Sequence, residues 1–230
     1  MKHIGIVAVS AEGASLCYRT VCLEGAALLG SYGHPEISMH SHALADYMKR
    51  IERDDWIGVG QLLLDSAAKL ARAGAEILVC PDNTVHQALD LVRSESTVPW
   101  LHIAEEVADV AARNRFRRLG VLGTRYLMEG PVYAGALGKR GISFDIPDPD
   151  ERARINAVIF DELVQGKLEG QSRTYLRAVI EALGRRGCDA VVLGCTEIPL
   201  LISQADSPLP LIDSTRTLAR AALREATAST

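Results

Sequence analysis

Short apolar runs alternate with longer amphipathic stretches along most of the chain. The first run, IGIVAV, is rich in β-branched residues, and a segment with helical periodicity follows from about Ala14 to Leu29. Similar apolar runs recur at Glu36–Met39, Glu76–Cys80, Leu119–Gly123, Ser143–Ile146, Ala190–Gly194 and Leu209–Ile212. Strands that alternate with helices in this way predict an α/β fold with parallel sheets and right-handed crossovers.

An internal repeat refines this prediction. Residues 58–82 and 171–195 share one pattern, in which an amphipathic helix is followed by a glycine, an acidic residue and a buried strand. Gly74 lies eight positions before Asp82, and Gly187 lies eight positions before Cys195. Glycine suits a helix C-terminus because it adopts positive φ without strain. The repeat therefore predicts two similar Rossmann-like lobes related by duplication.

The predicted boundary between the lobes lies near Val98-Pro99. The first lobe is expected to comprise residues 1–98, completed by residues 211–230, and the second to comprise residues 99–210. Ligands of open α/β sheets bind at the carboxyl ends of the strands. The pattern therefore predicts an active site in the cleft between the two lobes.

Each repeated strand ends with a side chain that can carry a proton. Asp82 is followed by Asn83 and Thr84, and Cys195 is followed by Thr196. A carboxyl and a thiol on opposite sides of a ligand can remove a proton from one face of a carbon and return one to the other. Backbone N–H groups and side chains of the residues that follow can hold a carboxylate.

Composition and charge exclude several classes of function. Lys and Arg number 25 and Asp and Glu 29, which gives a net charge of −4 and does not suggest a nucleic-acid partner. No apolar run approaches the roughly 20 residues that span a bilayer, and no signal peptide is evident. The expected protein is cytoplasmic, with no membrane partner.

The cysteines and histidines do not show a metal-binding pattern. The five cysteines include no CxxC pair with zinc spacing. His40-Ser41-His42 offers two imidazoles but lacks a third ligand in sequence. No metal site is predicted, and most of the free thiols are expected to pack in the core.

The two strand-end motifs resemble those of the cofactor-independent aspartate/glutamate racemase family. That family has Gly-Cys-Thr-Glu in one lobe, which stands here within Leu193–Pro199. It has Cys-Asn-Thr in the other, which stands here as Asp82-Asn83-Thr84, with aspartate where cysteine is usual. The opening GIVAV, Leu119–Gly130 and Phe160–Lys167 are also similar, so the resemblance covers nearly the whole chain.

The resemblance implies a racemase of a small acidic amino acid, free of pyridoxal phosphate and metal. Cys195 and Asp82 would be the two catalytic bases. Lys167 would hold one substrate carboxylate, and a homodimer would be common for the family. The full set of implied substrate-binding residues is Ser10, Asn83, Thr84, Thr124, Lys167 and Thr196.

The aspartate at position 82 leaves other functions open. Aspartate has an ordinary pKa near 3.9 and rarely holds a proton to donate, so unequal rate constants in the two directions are expected. Asp82 is also a suitable helix cap, and Cys195 a suitable core residue. The alternatives are a decarboxylase or a cis–trans isomerase of a dicarboxylic acid with Cys195 as its sole catalytic thiol, or a two-lobed small-molecule binding protein.

Overall fold

The computed structural model describes residues 1–228, and backbone contacts divide the chain into two compact units. The first unit comprises residues 1–106 and the segment from residue 215 on, and the second comprises residues 107–214. Each unit contains one four-stranded parallel sheet flanked by helices, which confirms the predicted α/β class. Within residues 1–228, no helix is both long and apolar enough to cross a membrane.

The first sheet has the strand order β2-β1-β3-β4. Its strands are β1 (Ile4–Ala8), β2 (Ile37–Ser41), β3 (Ile77–Val79) and β4 (Trp100–Leu101). The accompanying helices are α1 (Ala11–Leu29), α2 (Leu44–Ile51), α3 (Trp56–Arg72) and α4 (His86–Val92), and α5 (Ile103–Arg113) begins in the first unit and ends in the second.

The second sheet has the strand order β6-β5-β7-β8, which is the same topology. Its strands are β5 (Arg118–Leu122), β6 (Ser143–Asp145), β7 (Ala190–Leu193) and β8 (Leu211–Asp213). The later helices are α6 (Arg125–Glu129), α7 (Val132–Gly138), α8 (Pro149–Ala157), α9 (Gly170–Arg185), α10 (Ile198–Leu201) and α11 (Ser214–Thr227).

The last strand differs from the prediction that residues 211–230 complete the first lobe. Strand β8 pairs with β7 in the second sheet, where Val192 is in register with Ile212. Only α11, which follows it, belongs to the first unit, where Leu218 and Ala222 pack in the same core cluster as Ile4 and Ile6. The run PLPLID lacked any pattern that could tell one sheet from the other.

The repeat is visible in backbone geometry as well as in sequence. Gly74 and Gly187 have φ of 94° and 90° as α3 and α9 end, as predicted for a residue without a Cβ. Strand β3 begins at Ile77, which is five residues before Asp82. Within this strand, Leu78 N donates to Pro99 O at 2.9 Å. Val191 N donates to Pro210 O, also at 2.9 Å. Asp82 and Cys195 therefore follow their strands at equivalent positions.

Candidate active site

In each sheet the candidate residues follow the two central strands. Strands β1 and β3 are fully buried. From β1 the chain continues to β2 on one side of β1, and from β2 it crosses back to β3 on the other side. The direction of winding therefore reverses between β1 and β3. Strands β5 and β7 occupy the same places in the second sheet. Such a reversal leaves a crevice at the carboxyl ends of the central strands, where α/β proteins bind ligands.

Gly194 brings the loop after β7 close to β5. Its N–H donates to Leu122 O at 2.7 Å. A Cβ at this position would lie 2.6 Å from Leu127 Cδ2 and 2.9 Å from Leu122 O, so only glycine fits without displacing its neighbours. This close approach fixes the backbone immediately before Cys195, at the carboxyl end of β7.

Cys195 lies in a turn that folds a carboxylate back onto its thiol. The Cys195 Sγ–H donates to Glu197 Oε2 at 2.9 Å, and the Thr196 hydroxyl donates to the same oxygen at 2.8 Å. All three residues are buried, and Cys195 is 7% exposed. A buried carboxylate in contact with a thiol can accept its proton or hold its orientation, so Cys195 is equipped for proton transfer.

Asp82 lies in the equivalent loop of the first unit and caps the turn before α4. Its Oδ1 accepts a hydrogen bond from Val85 N at 3.2 Å. Asp82 therefore has the capping role considered above. The capping side chain is also a carboxylate that lies at the carboxyl end of β3. Asn83 beside it is 2% exposed, and Thr84 is partly buried.

A buried histidine holds the Asp82 loop closed. His86 Nε2 lies 3.0 Å from Cys80 O, so the ring spans the loop from its end back to its start. The His86 and His102 rings contact edge to face with 4.3 Å between their centroids, and both residues are buried. Burial, and then His102, lower the pKa of His86 well below its ordinary value. The neutral ring donates its Nε2–H to the carbonyl.

This buried ring makes stability depend on pH. Because the folded-state pKa of His86 lies below the unfolded value near 6.5, the unfolded chain binds the extra proton first. We expect the free energy of unfolding to fall as the pH drops below about 6.5. Urea unfolding between pH 5 and 8 measures this loss, which His86→Gln should reduce. The matched substitution of an exposed ring, His34→Gln, should leave it unchanged; an equal reduction there would contradict the assignment.

Three other cysteines are unsuited to proton transfer at neutral pH. Burial raises the pKa of Cys17 to about 12. Burial, and then the charge of Asp82, raise the pKa of Cys80 well above its ordinary value, and burial and Asp145 also raise that of Cys188. Cys22, on α1, is only partly buried and so departs from the expectation that most of the free thiols pack in the core.

Ser10 and Thr124 occupy equivalent places after β1 and β5. Each is the N-cap of the following helix: Ser10 Oγ accepts from Gly13 N at 3.1 Å, and Thr124 Oγ1 accepts from Leu127 N at 3.2 Å. Both thus start their helices at the carboxyl ends of central strands, next to the loops of Asp82 and Cys195 respectively.

Lys167 lies on the surface of the second unit, after an irregular helical segment. A π-helix at Val158–Glu162 leads into a 3₁₀ turn, and Gly166 has φ of 73°. The Lys167 backbone N–H donates to Glu162 O at 2.9 Å, while its side chain is exposed. Leu163 packs in the same core cluster as Cys195 and Ile198, which anchors this segment near the Cys195 loop. Single-turn π-helices are frequent at functional sites.

Two features of the site have only a weak signal in sequence. Glu197 is part of the quoted Gly-Cys-Thr-Glu motif, but its contact with the thiol depends on a turn that spacing does not reveal. Tyr47, on α2, is fully buried, and burial followed by the nearby Cys80 and Asp82 raises its pKa. Its electrostatic interaction with the Asp82 loop comes from a helix that carries no motif of its own.

Comparison with known sequences identifies a family. The sequence model for Asp/Glu/hydantoin racemase matches residues 6–222. A curated relative, the broad specificity amino-acid racemase RacX of Bacillus subtilis (strain 168), is 24% identical over 188 residues, which are 81% of this chain and 80% of that protein.

Solved structures agree over nearly the full chain. A candidate Asp/Glu racemase from Yersinia pestis has a TM-score of 0.91 and 34% identity, covering 98% of this chain and 99% of its own. An aspartate racemase homologue from Pyrococcus horikoshii OT3 has a TM-score of 0.86 and 29% identity, covering 99% and 100%.

Proposed function

The chain belongs to the Asp/Glu/hydantoin racemase family, and we propose that it racemises a small acidic amino acid by moving the α-proton between two protein side chains. Its class as an isomerase follows from the family. The acidic substrate is supported by the names of the aspartate and Asp/Glu racemases that it resembles. In this proposal Cys195 and Asp82 are the two bases, and no cofactor takes part.

The observation that carries the proposal is the contact between Cys195 Sγ and Glu197 Oε2 at 2.9 Å. A core cysteine has no need of a buried carboxylate, and burying that carboxylate costs free energy unless it is well hydrogen-bonded. The Cys195 thiol and the Thr196 hydroxyl both donate hydrogen bonds to that carboxylate. The arrangement supports a thiol that gives up and regains a proton during turnover.

The proton balance requires opposite protonation states for the two directions. In one direction the Cys195 thiolate removes the α-proton, and the Asp82 carboxylic acid donates a proton to the opposite face of the carbanion. The products are the enantiomer, a thiol and a carboxylate. In the reverse direction the Asp82 carboxylate accepts the proton and the Cys195 thiol donates one.

The remaining predicted residues are assigned to the substrate carboxylates. Asn83, Thr84 and Thr196 would hold the α-carboxylate, and Lys167 would hold the side-chain carboxylate by charge. The exposed ammonium of Lys167 is on a segment whose start packs with the Cys195 loop, which supports its role. Ser10 and Thr124 would line the site beside the Asp82 and Cys195 loops.

Proton NMR in deuterated water tests the proposed reaction. L- and D-aspartate and L- and D-glutamate are incubated separately with the protein, and the α-hydrogen signal and the enantiomer ratio are followed. We expect loss of the α-hydrogen signal together with appearance of the opposite enantiomer for at least one of these pairs. The proposal would be overturned if none of the four amino acids lost its α-hydrogen signal or formed the opposite enantiomer.

Substitution of Glu197 tests its role beside the thiol. Glu197→Gln keeps the shape but removes the charge that accepts the thiol proton, and we expect kcat to fall about 100-fold. Because Glu197 acts through Cys195, the pH profile of kcat should also shift, whereas KM should change little. The matched control is Glu181→Gln on the outer face of α9, which should leave both unchanged. A Glu197→Gln variant with the wild-type pH profile would contradict this role.

A single-thiol reaction is the second candidate, because Asp82 Oδ1 already serves as a helix cap. In that case the Cys195 thiol alone would donate the proton to the carbanion left when a 2-substituted malonate loses CO2. For a cis dicarboxylic acid, the Cys195 thiolate would instead add to the double bond, allow rotation about the resulting single bond, and be eliminated again with no net proton transfer. The same NMR experiment with a dicarboxylic acid such as maleate or a 2-substituted malonate distinguishes the two. Turnover of such an acid without amino-acid exchange would favour this second candidate.

A further inference from the structure

Two histidines and an aspartate form a cluster in the first unit that the racemase reaction does not use. His40 is the penultimate residue of strand β2, His42 follows the strand, and Asp65 lies on α3. One ligand atom from each of the three side chains lies within 4.8 Å of the other two. The sequence offered only the His40-Ser41-His42 pair, and the fold brings in Asp65 as the third group from 23 residues beyond His42.

The neighbouring side chains hold the two imidazole rings in place. Ser66 is fully buried, and its Oγ lies 2.9 Å from His40 Nδ1. The His42 ring contacts the buried Tyr47 edge to face, with 6.5 Å between the centroids. Such partners orient the ligands of protein metal sites and contribute to metal affinity.

We propose that His40, His42 and Asp65 form a binding site for a divalent late first-row transition ion such as zinc. Two imidazoles and one carboxylate suit zinc, cobalt, nickel or copper better than magnesium or calcium, which prefer oxygen ligands alone. With three protein ligands, water completes the coordination. The edge of a tetrahedral zinc site is roughly 3.3 Å, so separations in the cluster that exceed this value need to shorten, and the 2.8 Å contact between His42 and Asp65 needs to open slightly.

This adjustment falls on the most exposed member of the cluster. The Asp65 side chain is 49% exposed, and its Oδ2 lies 2.8 Å from His42 Nε2 and 2.6 Å from Lys69 Nζ. An ion inserted between His42 and Asp65 replaces the contact between them. It also takes the place of the Lys69 ammonium as the positive partner of the carboxylate, so Lys69 competes with the metal.

Zinc titration of the protein against a chromophoric chelator tests the site. The starting material is stripped with EDTA, and Cys22→Ser with Cys195→Ser provides a background without the more accessible thiols. We expect one zinc ion per chain in both backgrounds, with affinity reduced about 10-fold or more by His42→Ala and by Asp65→Asn. Lys69→Gln should bind zinc at least as tightly as the wild type.

The control is His34→Ala, which removes an exposed imidazole outside the cluster and should leave affinity unchanged. Asp65→Asn alters an exposed position and keeps the test valid if His42→Ala fails to fold. The proposal is overturned if the wild type binds no zinc, if Asp65→Asn binds as tightly as the wild type, or if Lys69→Gln binds more weakly. None of these readouts depends on racemase activity.

Discussion

Replacement of Cys195 by alanine is expected to lower kcat for racemisation by about 10³- to 10⁴-fold. In the proposed reaction the thiol takes the α-proton in one direction and supplies it in the other, and alanine can do neither. Enantiomer interconversion is followed by circular dichroism at a fixed wavelength, starting from each enantiomer separately. Both directions should be lost together, because each requires the thiol once per turnover.

A second buried cysteine in the same unit provides the control. Cys188→Ala removes a thiol that is 4% exposed and lies two residues before the start of β7. Its expected cost is a modest loss of stability from the cavity, with activity close to that of the wild type. If Cys195→Ala retained racemisation comparable to Cys188→Ala, Cys195 would be a packing residue and not a base.

Replacement of Asp82 by asparagine is expected to lower racemisation by about 10²- to 10⁴-fold. Asparagine can still cap the turn at Val85 but cannot carry the proton, so the variant separates the structural role from the chemical one. Thermal unfolding should therefore change little while turnover falls. Racemisation that survives Asp82→Asn unchanged would remove Asp82 from the reaction and favour single-thiol chemistry.

The wild type should also have unequal kcat values in the two directions of racemisation, and Asp82→Cys should reduce the difference between them. Aspartate and cysteine differ by about 4 to 5 units in ordinary pKa, so one direction starts from a rarely populated protonation state. Since enantiomers have equal free energy, kcat/KM must be equal in both directions, and the asymmetry appears as unequal kcat balanced by unequal KM. Two thiols in Asp82→Cys would bring the two kcat values closer. Equal kcat values in the wild type would contradict this prediction.

The fold was readable from sequence where the chain repeats itself. The apolar runs and the glycines at positions 74 and 187 predicted parallel strands and positive φ, and the structure has both. Strand β4 (Trp100–Leu101) was missed because a strand of two residues is too short to show a periodic pattern of apolar and polar positions. Strand β8 was assigned to the wrong sheet, because pairing partners are chosen by contacts remote in sequence, such as that of Val192 with Ile212.

The candidate site was readable only at the level of which residues end the strands. Asp82 and Cys195 stand out because each follows a buried strand at the same distance from a glycine. The contact of Glu197 with the thiol and the closure of the Asp82 loop by His86 arise from turns. The cluster of His40, His42 and Asp65 needs a strand and a helix to meet. Spacing along the chain contains none of this information.

The most direct test of two unlike bases is a crossed exchange experiment in deuterated water. Each enantiomer of the substrate is incubated separately with Asp82→Asn and with Cys195→Ala, and NMR measures the exchange of its α-hydrogen. A variant with one base left can still exchange hydrogen on the face that this base contacts. We predict that Asp82→Asn exchanges one enantiomer and Cys195→Ala the other, both without conversion. Exchange of the same enantiomer by both variants would contradict the assignment of one base to each face.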